Sequence, residues 1–339
     1  MRIRRRLPLV LVVLLVAAVL TLAVQLRKHA PPEPARLLPG ADGFVYVDLK
    51  WMRALHALGD LPPVSHDPEY QRFIEQTGFQ FERDLDEAAL AVHYPANWTG
   101  GGTGGSAPEP RFSEVLIGKF QGDRLRDYLR QIAQVVESYH SVDIFTIPVE
   151  GRSVRVAVLS ADSVAASNHD DPAVIRGMVD RSRRLASPFG GPALLRQFYK
   201  RVPFASVAWG VLRAEPGREG WGMLLPKPAT VVISARYIRA VHLRAEAFTA
   251  GEEDARAIAD KANVFLALSH SAEISVGNHG TDPDVKAFFD SLEIKQDGNR
   301  ALLSAAVPAG FLHKMLATSP DVSPPPNPPT APPKPGKSP

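Results

Sequence analysis

The strongest constraint in this sequence is an uncharged run near its start, from Leu7 to Leu26. Four arginines precede this run, and Arg27 and Lys28 follow it. Twenty residues in a helix span about 30 Å, the thickness of a bilayer's hydrocarbon core. Such a helix satisfies its own backbone hydrogen bonds in lipid. The run therefore predicts an N-terminal transmembrane helix over residues 1–30, followed by a proline-containing stalk at 31–40.

The charges that flank the run predict its orientation. The side richer in arginine stays in the cytoplasm, so the bulk of the chain is expected outside it, as a single-pass protein of a bacterial inner membrane with a periplasmic domain. A cleaved signal peptide is the alternative. The run is longer than a usual signal-peptide core, and Ala30 is followed by Pro31 and Pro32, so a retained signal anchor is favoured. Whether the segment is cleaved stays open.

The charge balance and the absence of cysteine exclude several classes of function. The net charge of +3 becomes −1 when the four leading arginines are set aside, so no nucleic-acid partner is expected. The chain has no cysteine, which excludes disulfides, thiolate catalysis and cysteine-ligated metal sites.

Hydrophobic patterning predicts an α+β fold with two similar lobes of antiparallel sheet, at residues 41–187 and 188–319, with helices on one face. Predicted strands come in adjacent pairs and alternate apolar with polar residues, as antiparallel sheets do. Each lobe has strands ending in phenylalanine (Phe120, Phe248), then a long helix and a hairpin. A degenerate duplication and a chance likeness are both open. Residues 320–339 are rich in proline and are expected to be a disordered tail.

Three stretches carry a loose resemblance to a known class of proteins. They are the sequence from Leu37 to Asp42 leading into FVYVDL, the stretch from Thr77-Gly78-Phe79 to Asp84-Leu85-Asp86, and SLEIKQDGNRALLSAAVP near the end. Together they resemble uncharacterised exported or membrane-anchored bacterial proteins. The resemblance implies an exported α+β protein and brings no activity with it.

No motif in the chain carries a specific chemistry. Phosphate-binding loops, zinc-protease motifs and nucleophile elbows are missing from the sequence, so we expect no catalytic residue, no cofactor and no metal. His169 and Asp171 are the densest pair of metal-ligand types. Asp171 precedes Pro172, however, and that pair is typical of a helix N-terminus, so we expect a cap.

The segment from Glu215 to Pro228 is the best candidate for a binding surface. It carries Trp221, Met223, Leu224 and Leu225 among glycines and prolines. Large apolar side chains on such a connection either pack into the core or contact a partner. We take these four residues as a candidate partner-binding loop.

These observations lead to one hypothesis and two alternatives. The leading hypothesis is a non-catalytic, membrane-anchored envelope protein whose extracytoplasmic domain binds a protein partner or a ligand. One alternative is an anchored envelope hydrolase with a site assembled only in the fold. The other is a carrier of apolar ligands, for which an apolar cavity beneath the 215–228 loop would be the sign.

Overall fold

A computed structural model describes residues 30–54, 66–95, 109–149, 151–183, 191–216, 225–238, 240–276 and 283–312. Side chains are described throughout these ranges except at 268–276. The uncharged run from Leu7 to Leu26, the tail at 320–339 and the loop residues Trp221, Met223 and Leu224 lie outside the described residues.

Twelve strands form one sheet, in which every neighbouring pair is antiparallel. Across the sheet the order is β11-β12-β10-β9-β8-β1-β2-β3-β7-β6-β5-β4. The strands are β1 (Gly43–Asp48), β2 (Leu85–His93), β3 (Arg111–Gly118), β4 (Val135–Tyr139), β5 (Val142–Val149), β6 (Arg152–Val158), β7 (Ser163–Ser167), β8 (Ala208–Ala214), β9 (Ala229–Ile238), β10 (Ala240–Phe248), β11 (Glu293–Asp297) and β12 (Arg300–Val307).

The described helices connect these strands or precede them. They are α1 (Glu33–Leu37), α2 (Leu49–Ala54), α3 (Pro68–Thr77), α4 (Phe81–Asp84), α5 (Gly122–Ile132), α6 (Ala173–Arg183), α7 (Ala193–Phe198), α8 (Glu252–Val276) and α9 (Pro283–Asp290), with a 3₁₀ turn at Tyr199–Arg201. Asp67 caps α3 as its sequence predicts, since its carboxylate accepts hydrogen bonds from the amides of Glu69 and Tyr70.

Side chains point alternately to the two faces of the sheet, and different helices cover each face. On the first face, the side of Phe44 and Tyr46, helices α1, α6 and α7 pack over the main hydrophobic core. On the second face, the side of Val45, one helix covers each end of the sheet. Helix α5 packs through Leu125 and Leu129 on β5 to β7, and α8 packs through Ile258 on β9, β10 and β12.

The predicted fold class is wrong in its two lobes and in its single helix-covered face. Strand β8 pairs with β1 over five residues, among them Gly210 opposite Val45, so the halves share one continuous sheet. The hydrophobic clusters lie on both faces of that sheet. The pairing of β8 with β1 joins residues far apart in the chain, and local periodicity carries no information about such a contact.

The predicted transmembrane architecture is also corrected. Within the described ranges, no helix combines the length and the apolar character needed to cross a bilayer. The described part of the structure therefore contains neither the predicted membrane-spanning helix nor the predicted signal anchor. The antiparallel character of the predicted strands is retained.

One predicted helix is shorter than its pattern. The apolar spacing predicts a helix from Asp123 to Glu137, but α5 ends at Ile132 and Val135 begins strand β4. Ala133, the residue after the helix, is already extended. Consecutive β-branched residues at Val135 and Val136 favour a strand over a helix, and pairing with β5 stabilises that choice.

The two halves repeat one strand order. β1-β2-β3 and β8-β9-β10 are both three-stranded meanders, and in each case a helix follows the third strand. The chain then returns to pair with that third strand, through β7 in one half and β12 in the other. The duplication itself stays a prediction.

The two faces of the sheet differ in burial, so the same valine-to-alanine substitution should destabilise the protein more on one face than on the other. Val211 on β8 is fully buried, whereas Val45 on β1 is 40 % exposed. We expect Val211→Ala to lower the free energy of unfolding by about 2–3 kcal/mol, from lost burial plus the cavity left behind. Val45→Ala should cost less than about 1 kcal/mol. Urea unfolding of both variants measures the difference, and equal losses would mean that the second face is as tightly packed as the first.

Candidate functional site

An apolar cavity lies between helix α8 and the second face of the sheet. Its volume is about 140 Å³. All twelve described residues that line it are apolar: Leu225, Val231, Ile233, Ala245, Ala247, Ile258, Ala259, Ala262, Ile294, Ala301, Leu302 and Leu303. An engineered cavity of about 150 Å³ with a similar lining stays dry and binds benzene-sized molecules. The space therefore suits a small apolar group.

The cavity has room because its walls are built from short side chains. Ala245 and Ala247 project from β10 and Ala301 from β12, while Ala259 and Ala262 project from α8. The methyl side chains of these alanines fill little of the space between the helix and the sheet. Larger aliphatic side chains, including Ile233 and Leu303, form the rest of the wall.

Strand register extends this apolar surface across the whole sheet. One residue from each strand stands in a single cross-strand row on the second face, which we call the central row. Across the sheet it reads Ile294, Leu303, Ala245, Ile233, Gly210, Val45, Leu90, Glu114, Ala166, Val156, Phe145 and Val136. Side chains directly opposite on neighbouring strands are in contact distance. The cavity is thus one end of a longer apolar surface.

The middle of the second face lies between the two clusters beneath α5 and α8. Neither cluster includes Val45, Leu90 or Glu114. Val45 is 40 % exposed, and Phe112 on the neighbouring row is 39 % exposed. Exposed apolar surface of this kind, continuous with a cavity, is typical of a binding groove.

Glu114 is the single ionisable residue of the central row. It stands opposite Leu90 on one side and Ala166 on the other. Burial raises the pKa of the Glu114 carboxyl. Among the described residues, it has no hydrogen-bond or ion-pair partner. A carboxylate in apolar surroundings without a partner is costly when ionised.

A more deeply buried glutamate shows how this fold accommodates such a group elsewhere, since Glu114 is only half-buried. Glu246 on β10 is 3 % exposed and lies on the first face. Its two oxygens accept hydrogen bonds from Arg244 at 2.7 Å and Arg300 at 2.9 Å. Glu114 has no comparable pair of cations among the residues that the structure describes, so within that part of the chain its carboxyl is available to a bound molecule.

A second cavity, of about 270 Å³, lies where β1 and β9 end. Its wall combines aromatic and polar groups, with Trp51 57 % and Phe204 70 % exposed. Burial raises the pKa of Asp48 in this wall, and the Asp48 carboxylate accepts a hydrogen bond from the Trp51 amide at 2.8 Å. That bond gives the carboxylate a structural role at the start of α2.

A serine and a histidine meet on the first face. His93 Nε2 lies 3.1 Å from Ser113 Oγ, and Ser113 Oγ lies 2.9 Å from Ser167 Oγ. This geometry resembles a nucleophile and its base. Ser113 is fully buried, however, and no substrate can reach its hydroxyl. Burial and the neighbouring His169 lower the pKa of His93, in keeping with a neutral histidine inside a hydrogen-bonded network.

The predicted helix cap at Asp171 is confirmed. Its carboxylate accepts a hydrogen bond from the Ala173 amide at 2.8 Å, and His169 Nδ1 accepts one from the Asp171 amide at 3.1 Å. Both groups therefore act within the turn that starts α6. Among the residues described, no three potential metal ligands cluster.

Leu225 is the described member of the candidate loop. It is 6 % exposed and lines the cavity under α8. The sequence identified this segment by its large apolar residues alone. It missed Glu114 and the central row, because a row across twelve strands depends on pairings that only the fold reveals.

Comparison with known proteins is sparse. No family model and no curated protein matches this chain. Solved structures of TP0453 are similar to it over most of its length, at 10 % sequence identity. The match to crystal form III has a TM-score of 0.43 and covers 85 % of this chain and 99 % of TP0453. Crystal form IV gives 0.42, with 84 % and 95 % covered. This is a distant likeness and assigns neither family nor activity.

The unpaired Glu114 predicts an unusual pH dependence of stability. Its pKa is raised in the folded state, so its stabilising protonated form is fully present below the unfolded value of about 4.5 and is lost as pH rises through the folded value. We therefore expect Glu114→Gln to unfold at higher urea concentration than the wild type at pH 8. The two proteins should converge at pH 4.

Glu75→Gln, at an exposed glutamate of α3, is the matched control and should leave the pH profile unchanged. A Glu114→Gln protein less stable than the wild type at pH 8 would show that the carboxylate has a stabilising partner.

Proposed function

We propose that this protein is a non-catalytic binding protein for an apolar ligand, held in the cavity between α8 and the sheet. The observation that carries the proposal is the lining of that cavity, in which twelve described residues from four strands, helix α8 and the segment at Leu225 are all apolar. A cavity with this lining gives water no hydrogen-bond partner, so an apolar guest displaces no bound water.

The position of Leu225 supports this function over a protein-binding loop. Its side chain lines the cavity and is nearly inaccessible, so it is not available to a protein surface. The carrier alternative named such a cavity beneath the 215–228 loop as its sign. An extracytoplasmic location stays a prediction.

The hydrolase alternative has less support. It needs a nucleophile that a substrate can reach, and the serine beside His93 is fully buried. The raised pKa of Glu114 fits a general acid in principle. Its neighbours in the central row are apolar, however, and offer no second group to share proton transfer or to stabilise developing charge.

Filling the cavity tests the proposed function. The neutral fluorophore N-phenyl-1-naphthylamine brightens in apolar surroundings, and we expect one of its ring systems to enter the cavity of the purified protein. Ala259→Phe places a ring in the cavity from α8, and we expect affinity for the fluorophore to fall at least about tenfold because the ring takes the guest's place.

Ala287→Phe, at an exposed alanine of α9, is the matched control and should bind as the wild type does. Overpacking can cost about 1–3 kcal/mol, so urea unfolding of both variants confirms that they are folded during the titration. Undiminished binding by a folded Ala259→Phe protein would contradict the proposed site.

A further inference from the structure

The cavity and Glu114 are joined by continuous apolar surface. Between Ile233, which lines the cavity, and Glu114 the central row passes through Gly210, Val45 and Leu90. Four strand spacings separate the two ends, about 19 Å at roughly 4.8 Å for each spacing. A molecule lying across the strands therefore reaches from the cavity to the carboxyl.

Gly210 is the residue of that stretch that has no side chain. A Cβ added there would meet the carbonyl oxygen of Phe44 at 3.4 Å and Cγ2 of Val45 at 3.9 Å, which are ordinary contacts. A Cβ at this position would therefore be tolerated, although the chain has none there. On this row no side chain stands between Ile233 and Val45, and Gly210 itself is buried.

We propose that the groove takes an elongated cationic amphiphile, with its alkyl chain in the cavity and over Gly210 and its ammonium group paired with Glu114. The inference rests on the proposed function and adds the class of ligand. An apolar row with a single unpaired carboxyl matches a molecule with a long apolar body and one positive group. A half-buried carboxylate in apolar surroundings repels an anionic head group, and a neutral head group leaves the carboxylate's charge unpaired.

The surroundings of Glu114 favour a cation from the ligand over one from the protein. On its own strand its neighbours on the second face are Phe112 and Leu116, and across the strands they are Leu90 and Ala166. None of the four can donate a proton or carry a charge. An ammonium group would supply both a countercharge and hydrogen-bond donors.

Head-group selectivity tests the proposal. Displacement of N-phenyl-1-naphthylamine by tetradecylamine, tetradecanol and tetradecanoate, each below its solubility limit or micellar concentration, measures three affinities for one chain length. We expect the wild type to prefer the amine over the alcohol by about tenfold or more, the effect of one charged hydrogen bond, and to bind the carboxylate weakest. Glu114→Gln should lose the preference for the amine, and Glu75→Gln should keep it.

A side chain placed at Gly210 gives an independent readout. Gly210→Val adds a β-branched side chain to a strand, which strands favour. We expect this variant to bind the fluorophore as the wild type does and to bind tetradecylamine no better than tetradecanol. When Glu114→Gln is added to Gly210→Val, the affinity for tetradecylamine should not fall further, because the amine no longer reaches from the cavity to residue 114.

Each contrary outcome has a distinct meaning. Equal affinities of the wild type for the three amphiphiles, or a preference that survives Glu114→Gln, would overturn the cationic ligand while leaving the proposed function in place. Failure of the fluorophore to bind would overturn the proposed function itself. A dimer in light scattering that Val45→Asp dissociates would assign the groove to a second copy of this chain and overturn the proposal.

Discussion

The pairing of β1 with β8 holds the whole architecture together. Without it the strands would form two sheets, one ending at β1 and the other at β8. The pair also places Tyr46 beside Trp209, whose rings stack at 5.4 Å on the first face. Phe44 and Val211, opposite each other in the same pair, are fully buried. This contact couples the main core to the groove, since the same two strands carry Val45 and Gly210 on the second face.

Local features of the fold could be predicted from the sequence, because each depends on neighbours in the chain. Asp67-Pro68 and Asp171-Pro172 mark helix starts that the structure has, and Asp297-Gly298 marks a hairpin whose glycine has a positive φ of 56°. A cap or a turn is decided within four residues. Local sequence does not decide where every element ends. The predicted helix should continue past Val135, but strand β4 begins there because it pairs with β5.

The candidate site could not be predicted for a related reason. Leu225 belongs to a segment that the sequence singled out, but the other walls of the cavity are alanines and aliphatic residues that look like ordinary core. Glu114 sits in a strand that alternates normally, and only the register of β3 with β2 and β7 shows that it faces apolar neighbours on both sides. The absence of a partner is a property of the packed molecule and leaves no trace in a single sequence.

The two outermost strands have a consequence for how the protein behaves at high concentration. Among the described strands β4 and β11 each have a neighbour on one side only, which leaves each with one row of unpaired backbone groups, the usual starting point for edge-to-edge aggregation. Both strands are only five residues long. Strand β11 carries Glu293, Lys295 and Asp297 at exposed alternate positions, and an incoming chain would have to desolvate these charges. Strand β4 instead exposes Val135 and Val136, so colloidal instability of this protein should begin at that edge.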